Sequence, residues 1–169
     1  MKTGMVILNY NDYENTIKMI LQVRDYKNIN KIVVVDNHST DSSVEKITPY
    51  LNKHVVLVEA RKNGGYAFGN NLGLKYLEKN TDCELAIISN PDVLVSESVI
   101  TELIHDMKKD ESISFLGPKI IERGHITKGW KLPSLWCEAL SCINYFNRYS
   151  FNMQKYPDDY YNEKIVKVE

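Results

Sequence analysis

The chain has 169 residues and a formal net charge of −1 at pH 7. This length predicts one domain with a sizeable core, and the balanced charge argues against duplex nucleic acid as a partner, since that needs a basic stripe. The uninterrupted apolar runs, such as Ile32–Val35, are far shorter than the ~20 residues that a membrane span requires.

Short apolar segments that end in polar or turn-forming residues are predicted to be strands. In chain order they are Lys2–Leu8, Lys31–Val35, Val55–Glu59, Leu85–Ser89 and Ile113–Leu116. The second is apolar almost throughout, which is typical of a strand whose sheet is covered on both faces.

Helices are predicted between the strands from apolar residues at helical spacing. Asp12 caps the first, Ser42–Glu45 fits a capping box for the second, which should run towards Tyr50, and Ser96 caps the fourth. The third follows Gly64–Gly65. The apolar positions of the first, third and fourth helices are Tyr13, Ile17, Ile20 and Leu21; Phe68, Leu72 and Tyr76; and Val99, Ile100, Leu103, Ile104 and Met107. The alternation indicates an α/β fold with a mostly parallel sheet and helices on both faces.

Past Pro118 the alternation stops. Leu135–Phe146 is predicted to be a helix, but the rest of the tail is rich in tyrosine without a clear period. An irregular segment of this length is uncommon within a compact domain. We therefore divide the chain into an α/β core, residues 1–118, and an aromatic tail, residues 119–169, whose side chains suit either a core or an interface.

Polar segments follow four of the predicted strands or overlap their ends. These segments are Val6–Asn11, Val34–Asp41, Asn63–Asn71 and Ile87–Val93. Ligands of open α/β sheets bind at the carboxyl ends of the strands. The segments are therefore predicted to form one site at one edge of the sheet.

Each segment also has a purely structural interpretation. Gly64–Gly65 before a helix suits a phosphate loop or a tight turn, and Asn70–Asn71 stands where a Walker loop requires Lys-Ser/Thr. Asn90–Pro91–Asp92 sets a carboxylate suited to Mg²⁺ or Mn²⁺ at a strand end, or is an ordinary turn. Asp36 is either an acceptor for a base or ribose or a turn residue.

The histidines and cysteines do not suggest a site. No histidine pairs with another at ligand spacing, and no cysteine has CxxC spacing. We expect surface or loop histidines and buried free thiols, which favour a reducing compartment, the cytoplasm. These residues are His38, His54, His105, His125, Cys83, Cys137 and Cys142.

Together, the four segments resemble family 2 glycosyltransferases of the GT-A fold, a Rossmann-like nucleotide-diphospho-sugar transferase fold. Within that family they are most similar to the rhamnosyltransferase-like branch of bacterial polysaccharide synthesis. The motifs occur in the family's order and spacing over roughly residues 3–120. They are VILNYN from Val6, VVDNHSTD from Val34, NGGYAFGNNLG from Asn63, SNPDV from Ser89 and LGPK from Leu116.

The resemblance implies a nucleotide-sugar donor site. The matching positions are Leu8, Asn9, Asp36, Asn37, Asn63, Gly64, Asn71 and Asn90. The first two would line the nucleoside pocket, the next two would contact the base or ribose, and Asn63, Gly64 and Asn71 would form the floor under the nucleotide. Asp92 would be the last carboxylate of a DxD-type metal motif binding Mn²⁺ or Mg²⁺, with Asn90 in place of the first carboxylate.

No catalytic base is identifiable. The family inverts the anomeric centre with a carboxylate base from a Glu-Asp pair in a later segment. Asp158–Asp159 is the one acidic pair of the tail, and its surroundings do not match that pair. We therefore expect the donor half of a larger enzyme, with the acceptor half lacking.

The resemblance implies a dTDP-, UDP- or GDP-linked sugar as donor and a glycan or lipid-linked acceptor, in the cytoplasm or at the inner face of the membrane. A homodimer or a partner chain over the tail, and a peripheral membrane contact, stay open. The alternative is a non-catalytic nucleotide-binding or assembly module derived from a truncated glycosyltransferase. An unrelated receiver-like domain would need an acidic cluster where Asn9–Asn11 supplies amides.

Overall fold

The computed structural model describes residues 1–122 and 125–126. The chain divides into two units, Met1–Leu116 and Gly117–Glu169. The helix predicted over Leu135–Phe146 and the pair Asp158–Asp159 lie outside the described residues, as do Cys137 and Cys142.

The first unit alternates strands and helices as the apolar pattern predicts. Its elements are β1 (Lys2–Asn9), α1 (Tyr13–Val23), β2 (Lys31–Asp36), α2 (Ser43–Ile47), a 3₁₀ turn (Thr48–Tyr50), β3 (Val55–Glu59), α3 (Tyr66–Asn80), β4 (Cys83–Ser89) and α4 (Glu97–Lys109). The first four predicted strands are confirmed to within two residues at either end.

The four strands form one parallel sheet in the order β3-β2-β1-β4. Asn9 pairs with Asp36 across β1 and β2, Asp36 with Glu59 across β2 and β3, and Ile7 with Ser89 across β1 and β4. The register therefore brings the polar ends of all four strands to the same edge of the sheet, which confirms the predicted α/β class.

Helices cover both faces of this sheet. On one face, Met5, Ile32 and Val34 pack with buried side chains of α1, α2 and α4, such as Ile20 and Ile100. On the other face, the alternate strand residues, including Val6, Val33 and Val35, pack against α3 through Leu77. Buried residues on both faces explain why β2 is apolar along almost its whole length.

Helix α3 packs closely against β1 because glycines stand on both elements where they meet. A Cβ on Gly69 would come within 3.0 Å of Leu8, and one on Gly73 would do the same at Val6. A Cβ on Gly4 of β1 would meet the side chain of Leu77 at 2.5 Å. These missing side chains let the start of α3 approach the polar sheet edge closely.

The fifth predicted strand, Ile113–Leu116, is wrong. No strand lies there, since Ile113 donates to the Asp110 carbonyl at 3.1 Å in a turn after α4, and Phe115 is 93% exposed. Four apolar residues alone do not specify a strand, because a strand also needs a neighbour for its backbone groups. The second unit instead contains a short antiparallel pair, β5 (Ile121–Glu122) and β6 (His125–Ile126), which the sequence did not predict.

Asp12 and Ser42 stand at the N-cap positions of α1 and α2, as predicted, but their side chains do not form the expected capping bonds. Neither Asp12 nor Ser42 makes a side-chain cap hydrogen bond, whereas Ser96 accepts one from the Val99 amide at 3.4 Å. At α2 the Asp41 carboxylate accepts from the Ser43 amide at 2.9 Å instead, so the acidic residue before the predicted box takes its place. Leu21, predicted on the apolar face of α1, is 42% exposed.

We predict that Gly73→Ala destabilises the fold. The added Cβ would lie within 3.0 Å of methyl groups of Val6 and Val35, whose branched side chains cannot rotate away in a filled core. Overpacking outweighs the gain in helix propensity and leaves a net loss of about 1–2 kcal/mol in urea unfolding. Gly117→Ala, which adds a Cβ in open space, is the control and should leave the midpoint unchanged.

Candidate functional site

The carboxyl edge of the sheet carries a buried polar network. Asn9 is 0% exposed and Asp36 is 2% exposed, although both end their strands. The Asn9 Nδ2 donates to Asp36 Oδ1 at 2.7 Å, and its Oδ1 accepts from the Thr16 hydroxyl at 2.8 Å. Ser39 donates its amide to Asp36 Oδ2 at 2.9 Å and its hydroxyl to Oδ1 at 2.5 Å. Both carboxylate oxygens of Asp36 therefore accept hydrogen bonds within the protein.

The same network fixes the two loops that rise above β1 and β2. The Asn11 amide donates to the Ser39 hydroxyl at 3.0 Å, and the Asn11 side chain accepts from the Thr40 amide at 2.8 Å. Asn11 and His38 both have positive φ, at 53° and 65°. A residue other than glycine adopts this conformation at a cost, so the hydrogen bonds hold the loops in a specific shape.

A second set of bonds connects β2 to the glycine segment. Asn37, 3% exposed, donates its side-chain amide to Asn63 Oδ1 at 3.0 Å and to the Gly65 carbonyl at 3.3 Å. Asn63 Oδ1 also accepts from the Gly65 amide at 3.0 Å. Gly65 has a φ of 85°, the left-handed conformation that favours glycine, and α3 begins at the next residue. The segment is thus a tight turn that opens a helix N-terminus at the polar edge.

The other predicted residues form an outer layer. Leu8 is half-buried, whereas Gly64, Asn71 and Asn90 are exposed. The structure therefore joins Asn9, Asp36, Asn37 and Asn63 by hydrogen bonds. The side chains of the other predicted positions form no hydrogen bond with these four among the described residues.

Sequence reasoning missed three residues of this edge. Thr16 and Ser39 complete the hydrogen bonds of Asn9 and Asp36, and only the fold brings them together. Asn70 is 4% exposed, and neither its Oδ1 nor its Nδ2 has a hydrogen-bond partner among the described residues. Its neighbour Asn71, which was predicted, is exposed on the opposite side of α3 from Gly69 and Gly73. The sequence signal that could have identified Asn70 is the pair of glycines at positions 69 and 73, four residues apart, which marks the face of α3 that packs on the sheet.

The predicted metal carboxylate lies on an exposed loop after β4. Asp92 is exposed, and the Val93 amide donates to the Asn90 carbonyl at 3.4 Å, so Asn90–Pro91–Asp92 is a turn. No group of three or more His, Cys, Asp or Glu side chains capable of holding a metal occurs within residues 1–122 and 125–126. A metal at Asp92 therefore needs further oxygen ligands from a bound molecule or water.

A charged pair lies at the opposite edge of the sheet. The Lys2 ammonium and the Asp82 carboxylate are 2.5 Å apart and exposed. Their hydrogen bond raises the pKa of Lys2 and lowers that of Asp82. Of the cysteines, Cys83 lies in this part of the chain as a free, half-buried thiol rather than a fully buried one.

Comparisons with known proteins agree with this architecture. A sequence model of glycosyl transferase family 2 matches residues 5–164. The low-salt glycan biosynthesis hexosyltransferase Agl10 of Haloferax volcanii is 26% identical over 120 residues, which are 71% of this chain and 37% of that protein. The chain thus spans little more than a third of the length of this curated relative.

Solved structures show the same fold. The mannosyltransferase PcManGT from Pyrobaculum calidifontis, in complex with GDP-Man and Mn²⁺, superposes with a TM-score of 0.55 at 18% identity, covering 63% of this chain and 32% of that one. TarS 1–349 of S. aureus gives a TM-score of 0.55 at 15% identity, covering 80% and 42%. The GT-A fold expected from the sequence is therefore confirmed.

We predict that Asp36→Asn destabilises this edge. One carboxylate oxygen becomes an amide nitrogen that cannot accept the bonds from Asn9 and Ser39, and the buried donors lose their partner. The expected loss is about 2–3 kcal/mol in urea unfolding. Asp41→Asn in the same segment changes an exposed side chain and keeps an amide oxygen that can accept the bond from the Ser43 amide, so it should alter stability by no more than about 0.5 kcal/mol. Equal effects of the two variants would contradict the structural role of Asp36.

Proposed function

The chain belongs to glycosyl transferase family 2, and from that premise we propose that it binds the nucleotide-diphospho-sugar donor of an inverting glycosyltransferase. The observation that carries the proposal is the buried network of Asn9, Asp36 and Ser39 at the carboxyl edge of a parallel sheet. Open α/β sheets bind ligands at this edge, and here the polar side chains are bonded to one another within the protein.

The hydrogen-bonded network and the exposed outer layer have different proposed roles. Asn9 and Asp36 have their polar atoms bonded within the protein, so they shape the nucleoside pocket by fixing its loops. Leu8 lines that pocket. Asp36 and Asn37 lie at the position where the base or ribose would contact the sheet edge. The exposed side chains are free to contact the nucleotide and sugar directly.

The glycine segment suits the diphosphate. Asn63, Gly64 and Asn71 form the proposed floor under the nucleotide, beside the N-terminus of α3. The first amides of a helix have no intrahelical partners and carry partial positive charge, which favours an anion. Gly65 provides the left-handed turn that aims this helix at the edge.

Asp92 and Asn90 fit a divalent cation that arrives with the donor. Mg²⁺ and Mn²⁺ prefer oxygen ligands, and Mg²⁺ is commonly held by one or two carboxylates together with substrate phosphates and water. An exposed single carboxylate matches this arrangement better than a site closed by protein ligands. When bound, Mn²⁺ or Mg²⁺ would neutralise the charge that develops on the diphosphate leaving group.

The residues that we can assign belong to the donor side. Inversion requires a base that removes the proton of the acceptor hydroxyl, and we assign no residue to this role. The second candidate function is a nucleotide-binding or assembly module without transfer. It is favoured by Asn90, which stands where the DxD-type motif has its first carboxylate and leaves Asp92 as the only carboxylate of Asn90–Pro91–Asp92. Sugar transfer by the chain distinguishes the two.

The proposals for the donor nucleotide, the acceptor and the pathway rest on the resemblance of the sequence motifs to the family. We propose that the donor is dTDP-, UDP- or GDP-linked, that the acceptor is a glycan or a lipid-linked glycan, and that the chain acts in the rhamnosyltransferase-like branch of cell-surface polysaccharide synthesis. A glycan biosynthesis relative supports the pathway class. Within the described residues, no helix has the length and apolar character to cross a bilayer. We propose a cytoplasmic location at the inner face of the membrane, where a partner chain or second copy would cover the aromatic tail.

We expect calorimetry to detect binding of UDP, dTDP or GDP and to show that Mn²⁺ tightens it about tenfold or more, a typical coupling between two ligands. Asp92→Ala should abolish the tightening and leave the metal-free dissociation constant unchanged, because Asp92 is exposed and supports no described core contact. Asp82→Ala, at the opposite edge, is the matched control.

No binding of the three nucleotides at millimolar concentration would refute the donor site. Binding that Mn²⁺ does not change would refute the metal role of Asp92 alone. Transfer of sugar from the matching nucleotide-sugar to water or to a glycan acceptor, followed by release of the nucleoside diphosphate, would establish the enzyme. Nucleotide binding with no release under the same conditions would support the binding module.

A further inference from the structure

The loop that carries Asp92 is anchored to α1 and to the segment that follows it through the backbone carbonyl of Val95. Gln22 Nε2 donates to the Val95 carbonyl oxygen at 3.0 Å, and the Tyr26 hydroxyl donates to the same oxygen at 2.9 Å. A carbonyl oxygen has two lone pairs, so these two side chains occupy its full capacity as an acceptor. The donors lie 73 and 69 residues away in sequence, so only the fold brings them together.

The anchor divides a fixed part of the loop from an exposed part. Val95 packs its side chain partly buried against the core of α1 and α4. The preceding residue, Leu94, is 90% exposed, and Asp92 is exposed as well. At the other end, Ser89 is held in the sheet by its register with Ile7. The segment 90–94 is therefore suspended between two fixed points.

This geometry limits where the Asp92 carboxylate can go. Asp92 lies three positions before Val95, and an extended chain covers at most about 11 Å over that distance. Fixing a loop before a ligand binds removes part of the ordering entropy that binding would otherwise cost. The anchor thus keeps Asp92 near the end of β4 instead of leaving it on a freely moving loop.

Other contacts join the segment that follows α1 to α4 without touching the loop. The Lys27 amide donates to Glu97 Oε1 at 2.7 Å, and Asn28 Nδ2 donates to the Thr101 hydroxyl at 2.7 Å. They hold the residues that follow α1 against the first turns of α4. They therefore separate the effect of positioning the loop from the effect of general stability.

We propose that Gln22 and Tyr26 are positioning residues for Asp92, and that they act by holding the Val95 carbonyl. Their role rests on the proposed function, since it presupposes that Asp92 takes part in metal-assisted nucleotide binding. Neither side chain lies at the sheet edge or contacts a residue of the buried network in the described bonds. Their effect should therefore appear in the response to metal and not in nucleotide binding alone.

The test compares Tyr26→Phe, Gln22→Met and the double variant with Asn28→Ala, all in the full chain. Calorimetry with UDP, dTDP and GDP, with and without Mn²⁺, gives the factor by which the metal tightens the nucleotide that binds. Each single variant should lower this factor about threefold, since one donor remains, and the double variant about tenfold. The metal-free dissociation constant should stay within about twofold of the wild type.

Asn28→Ala removes one hydrogen bond between the segment that follows α1 and α4. It should leave the Mn²⁺ factor unchanged, while urea unfolding reports its loss of stability. If Tyr26→Phe and Gln22→Met leave the factor at the wild-type value, or weaken metal-free binding equally, the positioning role is refuted. These single variants decide the matter even where the double variant does not fold. A wild-type chain with no Mn²⁺ effect refutes the proposed function instead, so the two failures are distinguishable.

Discussion

The hydrogen bonds that join the buried side chains of Asn9 and Asp36 to each other and to the half-buried Ser39 are the constraint on which the rest of the site depends. A carboxylate that is 2% exposed is costly to bury unless its oxygens accept hydrogen bonds. Asp36 accepts hydrogen bonds from Asn9 and Ser39, and Asn9 accepts one from the Thr16 hydroxyl of α1. One network therefore ties two strands, a helix and two loops together at a single edge of the sheet.

That network divides the site into a hydrogen-bonded inner part and an exposed outer layer. Helix α3 reaches the edge because glycines at its sheet-facing positions admit it, and Asn37 connects it to β2 through Asn63. The side chains proposed to touch the donor, such as Asn71 and Asp92, stand outside these bonds. A binding site gains precision when packed and bonded residues support the contacting ones. The anchor at Val95 extends the same principle to the metal side.

The sequence predicted the sheet well, because its strands are apolar runs that end in abrupt polar residues. It predicted Asn9, Asp36 and Asn37 as neighbours, because parallel strands bring such ends to one edge. It failed at Ile113–Leu116, where an apolar run has no pairing partner. At α2 it predicted the N-cap position, Ser42, but not that the Asp41 side chain accepts the hydrogen bond there. Local patterns do not report which competing bond the folded chain selects.

Contacts between residues far apart in the chain could not be predicted from the sequence pattern. Thr16, Ser39 and the carbonyl of Val95 are ordinary residues until the fold sets them beside Asn9, Asp36 and Tyr26. The buried amide of Asn70 is a similar case, since it is adjacent to a predicted residue and differs from it only in the face of α3 that it occupies. Roles that depend on packing need coordinates, whereas roles that depend on strand ends do not.

The most direct test of the donor site is a titration of the ¹⁵N-labelled chain with UDP, dTDP and GDP in the presence of Mg²⁺, followed by amide chemical shifts. The account predicts changes concentrated in segments 9–11, 36–41, 63–71 and 89–93, with residues at the opposite edge, such as Lys2 and Asp82, unaffected. Changes that cluster away from the carboxyl edge of the sheet, or no changes with any of the three nucleotides, would contradict it.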